Sequence, residues 1–412
     1  MEVCVLSTIS QRLAEAFQTN MQATTPILEY LWEFTSVFSK HTFDALPEPK
    51  EWDHAIELVP GSKLSSCKIY LLSPAEQKEL DMFLKENLET GWIQPSKSPM
   101  SSLVFFIKKK DGSLQLVQDY RALNEITVKN KYPLPLISEL INKLQGAWYF
   151  TKLDVRWGFN NVRMKEGDEW KAPFRTNRGL YEPLVMFFRL TNSLATFQTM
   201  MDGNFEDLIS EGVVVVYLDD ILIFTKTLEE HWKVVWKVLE IFREHRLSLK
   251  PEKCEFKKTS IEYLGVIISH DSVNMDPVKA ARVLEWLTPS NKKEVQLFLG
   301  FVNFYRWFIE GFSHIAQPLF DLTKANSMFN WSSEEKLAFD MLKDKITLAL
   351  ILTLPDNSRP YRIKADSLDF ATRAVLSQEN PEDGKWHPVA VRGLPSHPTP
   401  DFGTLYTPLH LR

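Results

Sequence analysis

Tyr217-Leu218-Asp219-Asp220 sets two adjacent carboxylates between two β-prone apolar runs, Val213-Val214-Val215-Val216 and Ile221-Leu222-Ile223-Phe224. An apolar run, a tight polar turn and a second apolar run predict a β-hairpin. A surface hairpin alternates apolar and polar residues, whereas these strands are apolar throughout, which predicts burial on both faces. An Asp-Asp pair taken alone is most often a solvated turn. Against a core, neighbouring carboxylates repel each other and are costly without a counter-ion, so a positive partner is expected and a divalent metal fits these flanks better.

Phe150-Thr151-Lys152-Leu153-Asp154-Val155 reads as a short strand with an acid near its end, 65 residues before Asp219. If that strand adjoins the hairpin in one sheet, three carboxylates share a site. Such a site suits two Mg2+ ions roughly 3.5 to 4 Å apart, one lowering the pKa of an attacking hydroxyl and one steadying a leaving pyrophosphate. Hydroxyl attack on a nucleotide α-phosphate depends mainly on positioning and charge neutralisation. The net charge of −5 argues against a polyanion partner, but Lys97 to Lys165 carries twelve Lys and Arg against five Asp and Glu. With Tyr, Phe and Trp interleaved, that segment has the footprint of a groove that tracks phosphates; a solvated lysine-rich face accounts for the charges equally well.

Along the chain, Ile9 to Phe38 predicts a helical lead-in, followed by the Pro-rich connector Leu46-Pro47-Glu48-Pro49-Lys50. Ser73-Pro74-Ala75-Glu76 is a capping box with Pro at the first helical position, and Leu80, Phe83, Leu84 and Leu88 form an apolar stripe before Gly91. Leu103 to Ile107 reads as a strand entering Lys108-Lys109-Lys110-Asp111-Gly112-Ser113, where Asp-Gly favours a hairpin. Leu228 to Arg246 places Trp232, Val235, Leu239 and Phe242 at helical spacing, and Ile261 to Ser269 reads as one strand with a break at Leu264-Gly265. Helices are predicted over 292–310 and 333–348, opened by Asn291-x-x-Glu294 and Ser332-x-x-Glu335. Pro360 to Asp366 is strand-like and leads into a helix-prone stretch ending at Gln378. Cys4, Cys67 and Cys254 are too scattered for a disulfide framework or a zinc site, which makes a reducing intracellular compartment the expectation. No apolar stretch approaches the length that spans a bilayer.

Many of these segments, in order, match one family. Phe106-Ile107-Lys108-Lys109-Lys110-Asp111-Gly112-Ser113, Asp119-Tyr120-Arg121-Ala122-Leu123-Asn124, Tyr132-Pro133-Leu134-Pro135, Phe150 to Asp154, Leu190-Thr191-Asn192 with Ala195-Thr196-Phe197-Gln198, Tyr217 to Asp220, Lys250-Pro251-Glu252-Lys253-Cys254 and Phe298-Leu299-Gly300-Phe301 together resemble the reverse transcriptase of gypsy-type LTR retrotransposons. The resemblance spans residues 45 to 392. It implies an α+β right-hand polymerase with fingers, palm and thumb, then a connection and an RNase H-like α/β domain. The implied boundaries are a lead-in and linker over 1–60, fingers and palm over 61–270, thumb and connection helices over 271–355, the start of the RNase H-like domain over 356–392 and an irregular tail over 393–412.

By position, the resemblance assigns Asp154, Asp219 and Asp220 as the catalytic and metal-binding acids, with the carbonyl of Val155 as a further ligand. It makes Mg2+ the cofactor, with Mn2+ as a substitute. Lys109 is implied to contact the incoming triphosphate, Phe159 to occupy the 2′-hydroxyl space, Phe188 and Tyr217 to line the nucleotide site, and Leu264 and Gly265 to hold the primer terminus. On the residues alone, Lys109 reads as a surface salt bridge, Phe159 as core and Gly265 as a β-bulge. The implied partners are RNA and DNA template-primers and deoxynucleoside triphosphates, and the implied setting is the cytoplasm, nucleus or a virus-like particle. Asp366 matches the first RNase H acid and the chain stops before the others, so no RNase H activity in cis is expected. Three positions depart from the family pattern: Gln115 stands for an arginine, Arg189 for a glycine and Leu194 for a proline. They raise the alternative of an impaired remnant that still binds nucleic acid; a rival from another class, a metal-dependent nuclease using the same acids, is disfavoured because no histidine or further acid lies near them in sequence to activate water.

Overall fold

The protein is described here as a computed structural model covering residues 29–39, 46–63, 70–108, 112–270, 272–309, 311–325, 327–347, 352–353, 359–368, 371–379 and 386–395. It divides into two compact units, Met1–Leu136 with Phe150–Lys258, and Ile137–Tyr149 with Thr259–Arg412. Among the described residues the first unit holds nine strands: β1 (Ile93–Pro95), β2 (Ser102–Lys108), β3 (Leu114–Asp119), β4 (Tyr149–Asp154, whose first residue falls in the second unit), β5 (Phe174–Thr176), β6 (Gly179–Pro183), β7 (Val214–Tyr217), β8 (Asp220–Thr225) and β9 (Glu255–Lys258). They form a five-stranded sheet in the order β1-β6-β5-β2-β3 and a four-stranded sheet in the order β7-β8-β4-β9.

The apolar hairpin forms as its pattern dictates. Val214, Val216, Ile221 and Ile223 share one face and join the main core, while Val215 and Leu222, paired on the other face, are 1% and 0% exposed. Burial on both faces is why neither strand alternates. The helix Leu228–Glu244, capped by the Thr227 side chain accepting from Glu230 N–H, buries Val234, Val235, Val238, Leu239 and Phe242; Trp232, expected on that stripe, is only half-buried and His231 takes the inward place. In Pro74–Glu89 the capping box is present, and Leu80 and Leu84 are buried. Leu88, expected on the same stripe, is 41% exposed because the final turn instead buries Asn87, whose amide donates to Phe83 O at 2.8 Å.

Two histidines are sealed into this unit. His231 is fully buried, with Thr151 Oγ1 2.8 Å from Nε2 and Thr225 Oγ1 3.0 Å from Nδ1. His54 is also fully buried, its Nδ1 3.1 Å from Thr196 Oγ1. Burial pushes both imidazoles down to about 4. The unfolded chain therefore binds protons between the ordinary histidine value and about 4 that the folded chain refuses, so their contribution is whole above about pH 6.5 and falls away as pH drops toward 4. The expected result is a melting temperature lower by on the order of 5 °C at pH 5 than at pH 7, shrinking in a His231→Phe variant. Thermal melts at the two pH values check it.

In the second unit, β10 (Ser260–Tyr263) and β11 (Val266–Ser269) are an antiparallel pair continued by β12 (Ser272–Met275) and β13 (Leu352–Thr353). Leu264-Gly265 is thus not a break within one strand but the two-residue turn between two, with φ 48° and 86°. Positive φ at both central residues is the requirement of a type I′ hairpin. Asn291 caps the helix Lys292–Phe304, and Ser332 bonds Glu335 at the start of Ser333–Thr347. A fourth sheet runs β14 (Arg362–Leu368), β15 (Ala371–Glu379) and β16 (Trp386–Pro395). The stretch ending at Gln378 is therefore strand, not helix: β15 lies between two partners whose ladders, together with β-branched Thr372 and Val375, outweigh its helix-prone alanines. The lead-in before residue 29, and the tail after 395, lie outside the described residues. Among the described residues no helix is long and apolar enough to cross a membrane.

Candidate active site

Asp154 ends β4, and Asp219 and Asp220 turn the hairpin from β7 into β8, the strand beside β4. The two elements are joined where the acids lie: Val155 N–H donates to Asp219 O at 3.1 Å. Leu218, first of the two turn residues, has φ 55°, the positive value that a hairpin matched to right-handed strand twist demands. A single side chain braces this turn. The carboxamide of Gln198, fully buried on the helix Ser193–Asn204, accepts from Leu218 N–H at 2.9 Å and donates to Val216 O at 3.3 Å and Asp202 Oδ1 at 2.8 Å.

The expected positive partners are lysines. Lys250 Nζ lies 2.7 Å from Asp154 Oδ1, Lys253 Nζ lies 3.2 Å from Asp154 Oδ2, and Lys152 Nζ lies 3.7 Å from Asp220 Oδ1. Burial, and after it the Asp219 and Asp154 charges, raise the Asp220 carboxyl above its ordinary range, against the pull of Lys152 and Lys253. Asp220 therefore feels the charge of both other acids. Among the described residues no group of three His, Cys, Asp or Glu side chains is already gathered as a metal cage. The donor chemistry nonetheless suits a hard divalent ion, being carboxylate oxygen beside backbone carbonyl in a cluster that already attracts cations. Burial pushes the thiol of Cys254, next to Lys253, up to about 12, which favours its neutral form.

Around the acids, Phe159 is 7% exposed on the short helical turn Gly158–Asn161, edge-on to Phe188 at 4.7 Å and tilted against Phe197 at 5.2 Å. Phe188 is 63% exposed, and Tyr217 is half-buried. Val155 is fully buried and bridges Leu249. Arg189 holds φ 70° with its guanidinium 5.9 Å above the Phe105 ring. Asn124 clamps that loop, donating to Arg189 O at 2.8 Å and accepting from Thr191 N–H at 2.7 Å. Gln115 and Leu194 are exposed. In the second unit, Tyr305 donates its hydroxyl to Gly265 O at 3.2 Å, next to Leu264. Asp366 stands opposite Arg373 in the backbone register of β14 and β15, and Lys109 lies outside the described residues. Sequence reasoning named no role for Lys152, Lys250, Lys253, Gln198 or Asn124; all five sit in recognisable motifs, but nothing in their spacing says what they touch.

Residues 107–268 match the family model described as reverse transcriptase (RNA-dependent DNA polymerase), and residues 331–397 match that of the RNase H-like domain found in reverse transcriptase. The Tf2-3 and Tf2-4 transposon polyproteins of Schizosaccharomyces pombe are 34% identical over 358 residues, which is 87% of this chain and 27% of theirs. The chain thus spans about a quarter of the length of these relatives. Among solved structures, the foamy viral protease-reverse transcriptase in complex with RNA/DNA hybrid superposes with a TM-score of 0.75 at 19% identity, covering 96% of this chain and 53% of that one. A form of the same viral protein in complex with double-stranded DNA gives 0.73, covering 95% and 69%. The right-hand α+β fold expected from the motifs is the fold of these viral enzymes. On these matches the chain belongs to the reverse transcriptases of gypsy-type LTR-retrotransposon polyproteins, with an RNase H-like segment following.

Proposed function

We propose that this chain is an RNA-directed DNA polymerase that extends a primer on an RNA or DNA template from deoxynucleoside triphosphates. One observation carries the reading: Asp154 and the Asp219-Asp220 pair sit on adjacent strands of one sheet, stitched together by the Val155 to Asp219 hydrogen bond of 3.1 Å. Asp154, Asp219, Asp220 and the Val155 carbonyl would hold two Mg2+ ions, with Mn2+ as a substitute, and these neutralise phosphate charge and acidify the primer hydroxyl when bound. Phe159, wedged between Phe188 and Phe197, gives a rigid wall that would exclude a 2′-hydroxyl, while exposed Phe188 and half-buried Tyr217 would bound the nucleotide. Lys109 would meet the triphosphate, and the Leu264-Gly265 turn would hold the primer end. Nucleic-acid partners are supported by the viral neighbours, which are complexes with an RNA/DNA hybrid and with double-stranded DNA. Extension of a labelled DNA primer on an RNA template by the purified chain with Mg2+ tests the reading; a folded chain that yields no product overturns it.

Gly158 makes a second test. A Cβ there would lie 3.1 Å from Phe197 Cζ and 3.6 Å from Asp219 Cβ, and the Phe197 ring is fully buried, so it has nowhere to swing. Gly158→Val is expected to cost about 1 to 3 kcal/mol of stability by overpacking. By displacing Asp219 it should also slow extension by roughly tenfold or more. Chemical denaturation and primer extension on the same preparation separate the two effects.

The second reading, a remnant that binds nucleic acid without extending primers, is favoured by Arg189 at φ 70° beside the nucleotide-lining Phe188. An arginine in left-handed backbone is strained, and its side chain occupies space that a glycine leaves open.

A further inference from the structure

Both oxygens of the Asp154 carboxylate are taken, Oδ1 by Lys250 and Oδ2 by Lys253. The two lysines flank Pro251-Glu252 on one short helical turn, and Lys250 N–H donates to Asp154 O at 3.0 Å, so that turn is fastened to the end of β4 by backbone. Glu252, between them, faces Arg156 at 3.7 Å and does not draw the lysines away. With Lys152 beside Asp220, three ammonium groups meet two of the three carboxylates. Exposure decides which partners can move: the Asp154 side chain is 11% exposed, against 27% for Lys250 and 57% for Lys253. The acid is fixed in the sheet and the lysines can swing into solvent.

We propose that Lys250 and Lys253 are competing counter-ions of Asp154, which neutralise the metal-free site and must leave the carboxylate before a divalent cation takes it. They thereby set the site's affinity for that cation. A buried carboxylate at a sheet end needs a cation at all times, and a tethered ammonium group supplies one that an incoming ion displaces without unfolding the strand. This rests on the reading of the three acids as metal ligands given above.

The test is titration of the whole chain with Mn2+, without nucleotide or template, reading free Mn2+ by electron paramagnetic resonance. Lys250→Met is expected to bind about tenfold more tightly than the wild type, as removal of a charge-assisted bond to a ligand predicts. Lys253→Met, whose lysine is more exposed, is expected to bind about threefold more tightly and carries little risk to folding. Lys250→Arg keeps the charge and should stay near the wild type. Tightening in either folded methionine variant supports the proposal. Affinity equal to or weaker than wild type in both, with binding lost in Asp219→Asn, overturns it and leaves the metal site standing. No Mn2+ binding by the wild type or by either methionine variant overturns both.

Discussion

Asp219→Asn is expected to abolish primer extension, with a loss on the order of 10³-fold, the scale seen when one charge-stabilising group is removed from an active site. The amide is nearly the same shape as the carboxylate, and the contact that joins the hairpin to β4 uses the Asp219 carbonyl, which the substitution leaves alone. The turn is held from the other side by Gln198 on Leu218 N–H. Fold and template affinity should therefore survive, the latter within about twofold, because phosphate contacts by lysine and arginine dominate nucleic-acid binding. Extension assays beside a filter-binding titration decide it. Equal extension by variant and wild type would sink the assignment of Asp219 as a metal ligand.

Arg189→Gly combined with Gln115→Arg should raise extension by at least roughly tenfold, about 1.4 kcal/mol of transition-state stabilisation. Gln115 stands opposite Ile107 in the β2–β3 ladder with an exposed, neutral side chain, where a guanidinium would offer charge to a phosphate tail. Glycine at position 189 accepts φ 70° without strain and lifts the guanidinium from the Phe105 ring. The relief of strain is offset by the extra freedom glycine gives the unfolded chain, so net stability should change by no more than about 1 kcal/mol. A rate gain without a stability gain then belongs to substrate binding. An unchanged rate would show that the chain tolerates both departures.

Where local physics and tertiary structure agree, the sequence was readable. The hairpin at Tyr217 to Asp220 was legible because two-sided burial leaves an unbroken apolar run, and the helix starts at Ser73 and Asn291 because capping is a contact between residues three apart. Ala371–Glu379 misled because its neighbours in space, not its own propensity, make it a strand. Leu264-Gly265 misled because a two-residue turn and a kink within a strand share one composition. The lysines of Asp154 were invisible for a different reason. They approach it from 96 and 99 residues away, and the pairing of Val155 with Leu249 and the Lys250 to Asp154 backbone hydrogen bond bring that segment home.

Gln198 gives the hairpin a vulnerability of its own. Its carboxamide accepts from one backbone N–H and donates to one backbone carbonyl, so neither a carboxylate, which cannot donate, nor an apolar side chain of equal bulk can replace it. If the three acids act as proposed, inactivating changes are thus not confined to them. A single exchange at this buried, uncharged helix position is expected to free the acid-bearing turn.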